Sequence, residues 1–393
     1  MVKQKKINLN NIEISYDGIV NTKKLKGKIS TSLKKSELKQ IEELEIIKEL
    51  YKSSNDYELL VKKIKKAKPS KVVLFGMGGS SLGTKSILKA LARKQKKLLV
   101  VNNVDGETFE DLFKEIKINS TFFIFVSKSG NTIEIKNLLK ETLKKFDKSR
   151  ISFTKRMLIL TDKLDSFLNR FAKKNKVPIF YLNENIGGRY SALSPSTMIP
   201  CELANISSKQ LLIGARNMYE ELKALEFQPI SDLTNFYYQN YLSGKDTTIL
   251  MLYKDFLDSF GEWFMQLWGE SLGKKNIGLT PITYLGPRDQ HSQLQLVLDG
   301  PKNKTVTFIS VSKTAFGNKR LDALSQIEMN ATLSACRKRK IPVTSFKMKD
   351  LTPESISSMI IILEITTILL AKKLNINPFN QPSVELIKKN IGD

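Results

Sequence analysis

The stretch KVVLFGMGGSSLG (residues 71–83) decides the fold. Its first five residues are an apolar, β-branched run that reads as a buried strand; a glycine-rich loop follows, and a helical pattern opens directly behind it. A strand that passes through a turn into a helix is the unit of a parallel α/β sheet with right-handed crossovers. The same rhythm continues outward: residues 98–102, 121–126, 157–161 and 179–182 read as strands, with helical stretches between most of them. A helix-rich connection over 201–242 follows, and strands resume at 247–253, 282–285, 305–311 and 343–346. Two α/β domains fit this better than one oversized sheet, and 393 residues with 41% hydrophobic content suffice for both cores. Residues 1–45 read as an extension carrying a basic amphipathic helix. The greasiest segment, MIIILEITTILLA (359–371), is too short for a bilayer span and carries Glu364, so it is expected to be a buried helix.

The formal net charge of +25 invites a nucleic-acid reading. The lysines, however, are scattered over predicted helix faces, with no zinc-finger spacing, no aromatic RNA-binding signature and no concentrated basic block, so neither a nucleic-acid nor a membrane partner is expected. A generally positive field still attracts anionic metabolites. Cys201 and Cys336 stand far apart without a CxxC motif and read as two reduced thiols, with no structural metal and no disulfide framework. The start MVKQKKINLNN has basic residues but no apolar run behind them, which argues against a secretory signal and for a cytoplasmic protein.

Four loops could carry chemistry. In GMGGSSLG (76–83), glycines let backbone amides approach a ligand and serines add hydroxyl donors at a helix start. A dinucleotide turn would look similar, with Asp105 as a ribose-binding acid, but Ser81 occupies the third glycine position of GxGxxG and no GK[ST] is present. In SKSGNT (127–132), Ser127, Lys128, Ser129 and Thr132 crowd the start of a helix beginning near Ile133. Plain N-capping needs one hydroxyl, and four polar groups in six residues point instead to a seat for a phosphate monoester. In GGRYSALSP (187–195), two glycines permit a tight turn that aims Arg189 into a cleft, where a guanidinium can stabilise a developing oxyanion without a metal. The fourth loop, GPRDQH, ends on the only histidine, His291, which must act alone as an acid or base if it does chemistry. Between the loops, residues 256–273 read as an aromatic-rich helix. Gln266 and Glu270, four apart, share a face there, and a partly desolvated Glu suits a general base; its bland alternative is a surface carboxylate paired with Lys274.

Taken in order, GMGGSSLG, SKSGNT, GGRYSALSP, QLWGESLGK, GPRDQHSQLQ and NPFNQPSVELIKK resemble the motifs of the phosphoglucose isomerase family over residues 76–388. The resemblance implies an α/β protein of two SIS-type, flavodoxin-like three-layer α/β/α domains with parallel sheets, divided as 1–45 (extension), 46–205, 206–350 and 351–393 (a C-terminal helical segment packing back on the active site). It implies a homodimer with shared active sites, a sugar-phosphate substrate, and no cofactor or metal. By position, Gly79 and Ser80 look like the sugar contacts. Ser127, Lys128, Ser129 and Thr132 look like the phosphate cradle, with Gln266 closing it. Glu270 looks like the base that moves a proton between C1 and C2, and Arg189 like the group that holds the enediolate. His291, supplied by the neighbouring subunit, and Lys388 look like the pair that opens the sugar ring.

The chain departs from the family pattern in two places. PRDQH lacks the usual glycine before the Gln-His dipeptide, and Pro382, Ser383 and Ile387 replace commoner residues before the lysine, so that Lys389 competes with Lys388 for the role. A dual phosphoglucose/phosphomannose isomerase would use the same proton shuttle. A silent sugar-phosphate sensor would need only the cradle, and a nicotinamide oxidoreductase would need the missing third glycine.

Overall fold

The computed structural model describes residues 5–17, 35–52, 55–92, 97–313 and 317–384. The chain divides into two compact units, one comprising residues 45–209 with 382–393 and the other residues 1–44 with 210–381. Strands are numbered in chain order: β1 (Lys5–Asn8), β2 (Ile12–Asp17), β3 (Lys71–Gly76), β4 (Leu98–Val101), β5 (Thr121–Val126), β6 (Met157–Thr161), β7 (Ile179–Tyr181), β8 (Thr247–Leu252), β9 (Thr280–Leu285), β10 (Lys304–Val311) and β11 (Val343–Met348).

The first unit is a five-stranded parallel sheet in the order β4-β3-β5-β6-β7. Its centre is fixed by composition: Val72, Val73, Leu74 and Phe75 of β3 and Phe122 to Val126 of β5 are buried, as a strand covered by helices on both faces requires. Phe75 stacks on Phe125 at 4.7 Å, and Phe123 meets the Phe146 edge at 5.3 Å, tying both central strands to helix Ile133–Ser149. Because β3, the first strand, lies between the second and the third, the chain reverses direction across the sheet at the carboxyl ends of β3 and β5. Open α/β sheets hold ligands at that point. The loops 76–79 and 127–132 leave the sheet there.

The second unit has a six-stranded sheet in the order β1-β2-β11-β10-β8-β9. Strands β8 to β11 are parallel, but β2 runs antiparallel to β11, with Val343 opposite Asp17, and β1 runs antiparallel to β2. The parallel strands are those expected, and an antiparallel pair, β1 and β2, extends the sheet beyond them. The segment read as an extension supplies a hairpin to this sheet, and the helix expected there is the short Lys35–Glu42. Ile12, Ile14 and Tyr16 of β2 are buried and give the strand its alternating signal, whereas β1 is an edge whose Lys5 and Lys6 stay in solvent, paired with Asp232 and Glu13.

The apolar segment 359–371 belongs to a longer helix, Pro353–Lys373, whose 21 residues are long and apolar enough to cross a membrane. Its length was underestimated because Ser355, Ser357 and Ser358 hide its first turns. All residues from Ser355 to Ala371 are buried, against helices Gln228–Leu242 and Asp258–Leu272, which makes it the core helix of the unit. Cys201 and Cys336 are free and fully buried, one in each unit. Burial pushes the Cys336 thiol up to about 12 and raises Cys201 further, so both are protonated and unreactive.

Candidate active site

In the first unit β5 ends at Val126, and the Ser127 amide makes a last contact with the Leu160 carbonyl at 3.1 Å before the chain turns away. The Ser127 hydroxyl shares a 2.7 Å hydrogen bond with the Thr132 hydroxyl and accepts from the Gly130 amide at 3.1 Å. Gly130 has φ +66°, and a Cβ there would lie 2.1 Å from the Ser166 hydroxyl, so the turn requires glycine. Thr132 sits at the N-cap of helix Ile133–Ser149, yet its side chain makes no capping bond among the described residues. Asp105 and Ser166, by contrast, accept from the amides of Thr108 and Asn169 in their own helices. Asp105 is thereby used as a cap. In the loop of residues 127–132 the Ser127 and Thr132 hydroxyls instead bond each other, and the first turn of the helix has no side-chain cap.

The Lys128 carbonyl accepts from the Asp162 amide at 3.1 Å and from the Thr161 hydroxyl at 3.2 Å, anchoring the loop on the end of β6. Burial holds the half-buried Lys128 ammonium below its ordinary value; Asp162 and Glu184 pull it back up, and Arg189 pushes it down again. Asp162 is buried beside this lysine and was missed in the sequence, although its position at the end of a parallel strand is the signal that could have found it. Ser129 is exposed and accepts from the Asn131 amide at 3.3 Å.

The glycine loop and the arginine turn are packed backbone to backbone. A Cβ on Gly79 would lie 2.1 Å from the Gly188 carbonyl carbon and 2.6 Å from the Arg189 nitrogen. Ser191, unmarked in the sequence reading, donates to the carbonyls of Gly79 at 3.2 Å and Gly188 at 2.7 Å and locks the pair. Ser81, at the third position of the glycine pattern, is buried and donates to the Gly78 carbonyl. Ser80 is half-buried at the helix start. Arg189 is 2% exposed on the short turn Gly188–Tyr190, its guanidinium 5.5 Å from the Tyr190 ring centre.

In the second unit the expected helix is Asp258–Leu272, preceded by a short turn at Asp255–Leu257. Phe260, Trp263, Phe264, Leu267 and Trp268 are buried and hold it rigid. The Gln266 amide donates to the Glu270 carboxylate at 3.0 Å. Lys274 reaches the carbonyls of Glu270 and Ser271 at 2.8 and 2.7 Å, capping the helix end. The stretch PRDQH is organised by Asp289, which accepts from the Leu285 amide at 2.7 Å and from Arg288 at 2.7 and 2.8 Å; the Arg288 bonds hold its carboxyl below the usual range. Gln290 turns inward and donates to Tyr253 at 2.6 Å and Thr332 at 2.9 Å. His291, the second residue of helix Gln290–Asp299 and next to these anchored neighbours, is exposed. Lys388 and Lys389 lie outside the described residues.

The first unit thus brings Gly79, Ser80, Ser127, Lys128, Ser129, Thr132 and Arg189 to the carboxyl edge of one sheet. The second presents Gln266 and Glu270 on one helix, with His291 on another. The groups in the first unit have the chemistry to take a phosphate and an oxyanion, and the carboxylate in the second has the chemistry to move a proton.

Residues 47–325 match the family described as Phosphoglucose isomerase. The glucose-6-phosphate isomerase of Campylobacter jejuni is 33% identical over 346 residues, covering 81% of this chain and 84% of that protein. That of Methanocaldococcus jannaschii is 30% identical over 357 residues, covering 86% and 84%. Among solved structures, a glucose-6-phosphate isomerase from Chlamydia trachomatis aligns with TM-score 0.79 at 20% identity over 98% of this chain and 88% of that one. Tagatose-6-phosphate ketose/aldose isomerase from Escherichia coli aligns with TM-score 0.57 at 12% identity over 86% and 93%. These structures share the two-domain SIS-type α/β fold expected from the ordered motifs. By the extent of the family match and of the relatives' identity, the chain belongs to the phosphoglucose isomerase family.

Proposed function

We infer that the protein interconverts D-glucose 6-phosphate and D-fructose 6-phosphate by ring opening and proton transfer through a cis-enediolate. In a chain of this family, the observation that carries the reading is the loop of residues 127–132, whose hydroxyls bond each other and leave the helix start uncapped, as a phosphate monoester requires. Ser127, Lys128, Ser129 and Thr132 hold the phosphate, and Gly79 and Ser80 contact the sugar. Glu270, oriented by Gln266, removes the proton from one carbon and returns it to its neighbour. Arg189 balances the charge that develops on the enediolate oxygens. The redox change is internal, C2 being oxidised as C1 is reduced, and the cycle closes when the C2 proton is delivered to C1 and the O2 hydroxyl proton passes to O1.

Ring opening is assigned to His291 and Lys388. An exposed His291 whose neighbours are anchored inward supports its donation to a second copy of the chain, which makes the enzyme a homodimer with shared sites. The cytoplasm is its proposed compartment. The test is turnover of fructose 6-phosphate by purified protein with a chelator present, beside mannose 6-phosphate. Turnover of the glucose/fructose pair alone is the expected result. Comparable mannose 6-phosphate turnover would make it a dual isomerase, and no turnover of either would leave a sugar-phosphate sensor.

A further inference from the structure

The second unit repeats the strand order of the first. Its first parallel strand, β8, lies between the second, β9, and the third, β10, so its own reversal point falls at the carboxyl ends of β8 and β10. A cavity of about 620 Å³ opens there, within the range of small-molecule sites. It is lined by Lys254 after β8, Ser310 and Lys313 at the end of β10, Lys347 of β11, and Lys319 and Asp322 of helix Lys319–Lys338. The sequence repeats too. Val311 ends the third parallel strand of this unit and Ser312 and Lys313 follow it, as Val126 ends that of the other and Ser127 and Lys128 follow.

The helix start is arranged differently. Here Asn318 accepts from the amides of Arg320 at 3.1 Å and Leu321 at 3.3 Å, so the helix is capped and cationic side chains must supply the attraction. Lys254 is matched by an ion pair with Asp322. Lys313, Lys319 and Lys347 are exposed around the cavity, and no ion pair among the described residues takes them up. Three lysines in excess of one neutralised pair, around a concave site with a buried serine, match a dianion on a small body.

We propose that this cavity is a second anion site, separate from the cradle at residues 127–132, which takes a phosphorylated metabolite of sugar-phosphate size. It is tested by equilibrium dialysis of the full chain against radiolabelled sorbitol 6-phosphate, a phosphate monoester with no carbonyl to isomerise. Two sites per chain are expected. Lys313→Glu with Lys347→Glu weakens one class by about 10- to 100-fold, the range for charge-assisted hydrogen bonds. Ser127→Ala with Thr132→Ala weakens the other class, and failure of that arm alone would count against the cradle and not against this site. Asp322→Asn, which frees Lys254, tightens the second class, a direction that unfolding cannot produce. Lys62→Glu with Lys63→Glu, the same charge change on an exposed helix face, leaves both classes intact. A single site in the wild-type chain, no loss in the Lys313/Lys347 variant, or equal loss in the Lys62/Lys63 control would overturn the proposal.

Discussion

Replacing Glu364 by Gln isolates the one carboxyl that sits in the middle of the core helix Pro353–Lys373. It is fully buried, neither of its oxygens has a hydrogen-bond partner among the described residues, and burial alone raises it well above its ordinary value of 4.5. The folded chain therefore keeps this proton where the unfolded chain has lost it. Below the ordinary carboxylate value both states are protonated and the group has no pH-dependent effect. Above it the unfolded state ionises, so stability falls as pH rises, by about 1.4 kcal/mol per pH unit, until the raised folded value is reached. Between pH 5.5 and 7.5 the wild type should thus lose stability steadily relative to Glu364→Gln, every other titration being common to both. Glu364→Leu should also shed the cost of the unsatisfied carboxyl, about 1–3 kcal/mol, and be the more stable protein at either pH. Urea unfolding of the three proteins across this range measures the differences. A stability difference between the wild type and Glu364→Gln that stays flat with pH would refute the reasoning, because it would mean that Glu364 ionises as readily in the folded chain as in the unfolded one.

For the proposed chemistry, Glu270→Gln keeps the hydrogen bond with Gln266 possible but removes the base; kcat should fall by about 10²- to 10⁴-fold with substrate still bound, as read by steady-state kinetics and calorimetry. Lys388→Ala and Lys389→Ala, made separately, should differ: only the active lysine's loss impairs turnover of cyclic substrate far more than of open-chain substrate, and equal effects would remove both assignments. Mixing inactive Glu270→Gln with inactive His291→Ala should restore roughly a quarter of wild-type activity if each site takes its histidine from the second copy, since half the dimers then carry one intact site. A mixture as inactive as its components would place His291 in its own chain's site. Gly130→Ala should destabilise the first unit by more than about 1 kcal/mol and raise KM, because the positive φ and the Ser166 hydroxyl both oppose a Cβ; an unchanged KM would detach this turn from phosphate binding.

The parallel strands were legible because burial on both faces writes a continuous apolar run. TFFIFV over 121–126 became β5 without a shift, and the other parallel strands fall within two residues of their expected ends. The β1–β2 hairpin escaped because its apolar positions, Ile12, Ile14 and Tyr16, alternate inside a lysine- and asparagine-rich stretch whose charge suggested a helix. The helix Pro353–Lys373 was cut short for the opposite reason. Buried serines whose hydroxyls bond a helix carbonyl, as Ser357 does with Glu354, are apolar in effect but polar in the alphabet. In the candidate site the loops were readable from residue type and spacing, while Ser191 and Asp162 were not. Their positions matter only once Gly79 lies against Gly188 and the 127–132 loop is anchored on β6, contacts that no local pattern encodes.

The two Val-Ser-Lys loops show where local chemistry stops being readable. Each ends the third parallel strand of its unit and leads toward a helix, so by sequence alone both promise the same anion seat. What separates them is one side chain at each helix start. Thr132 spends its hydroxyl on Ser127 and leaves the amides of the Ile133–Ser149 helix uncapped, so attraction there comes from the backbone and its dipole, close in and weakly screened. Asn318 occupies two amides itself, so the second loop must draw an anion with exposed lysines, whose field is longer in range and weakened by salt. A short, directional seat suits a phosphate that must be held in one pose for a proton transfer at the far end of the sugar; a ring of mobile ammonium groups concentrates anions without fixing their orientation. On that ground the loop of residues 127–132, and not its counterpart after β10, is the one we propose for the catalytic phosphate.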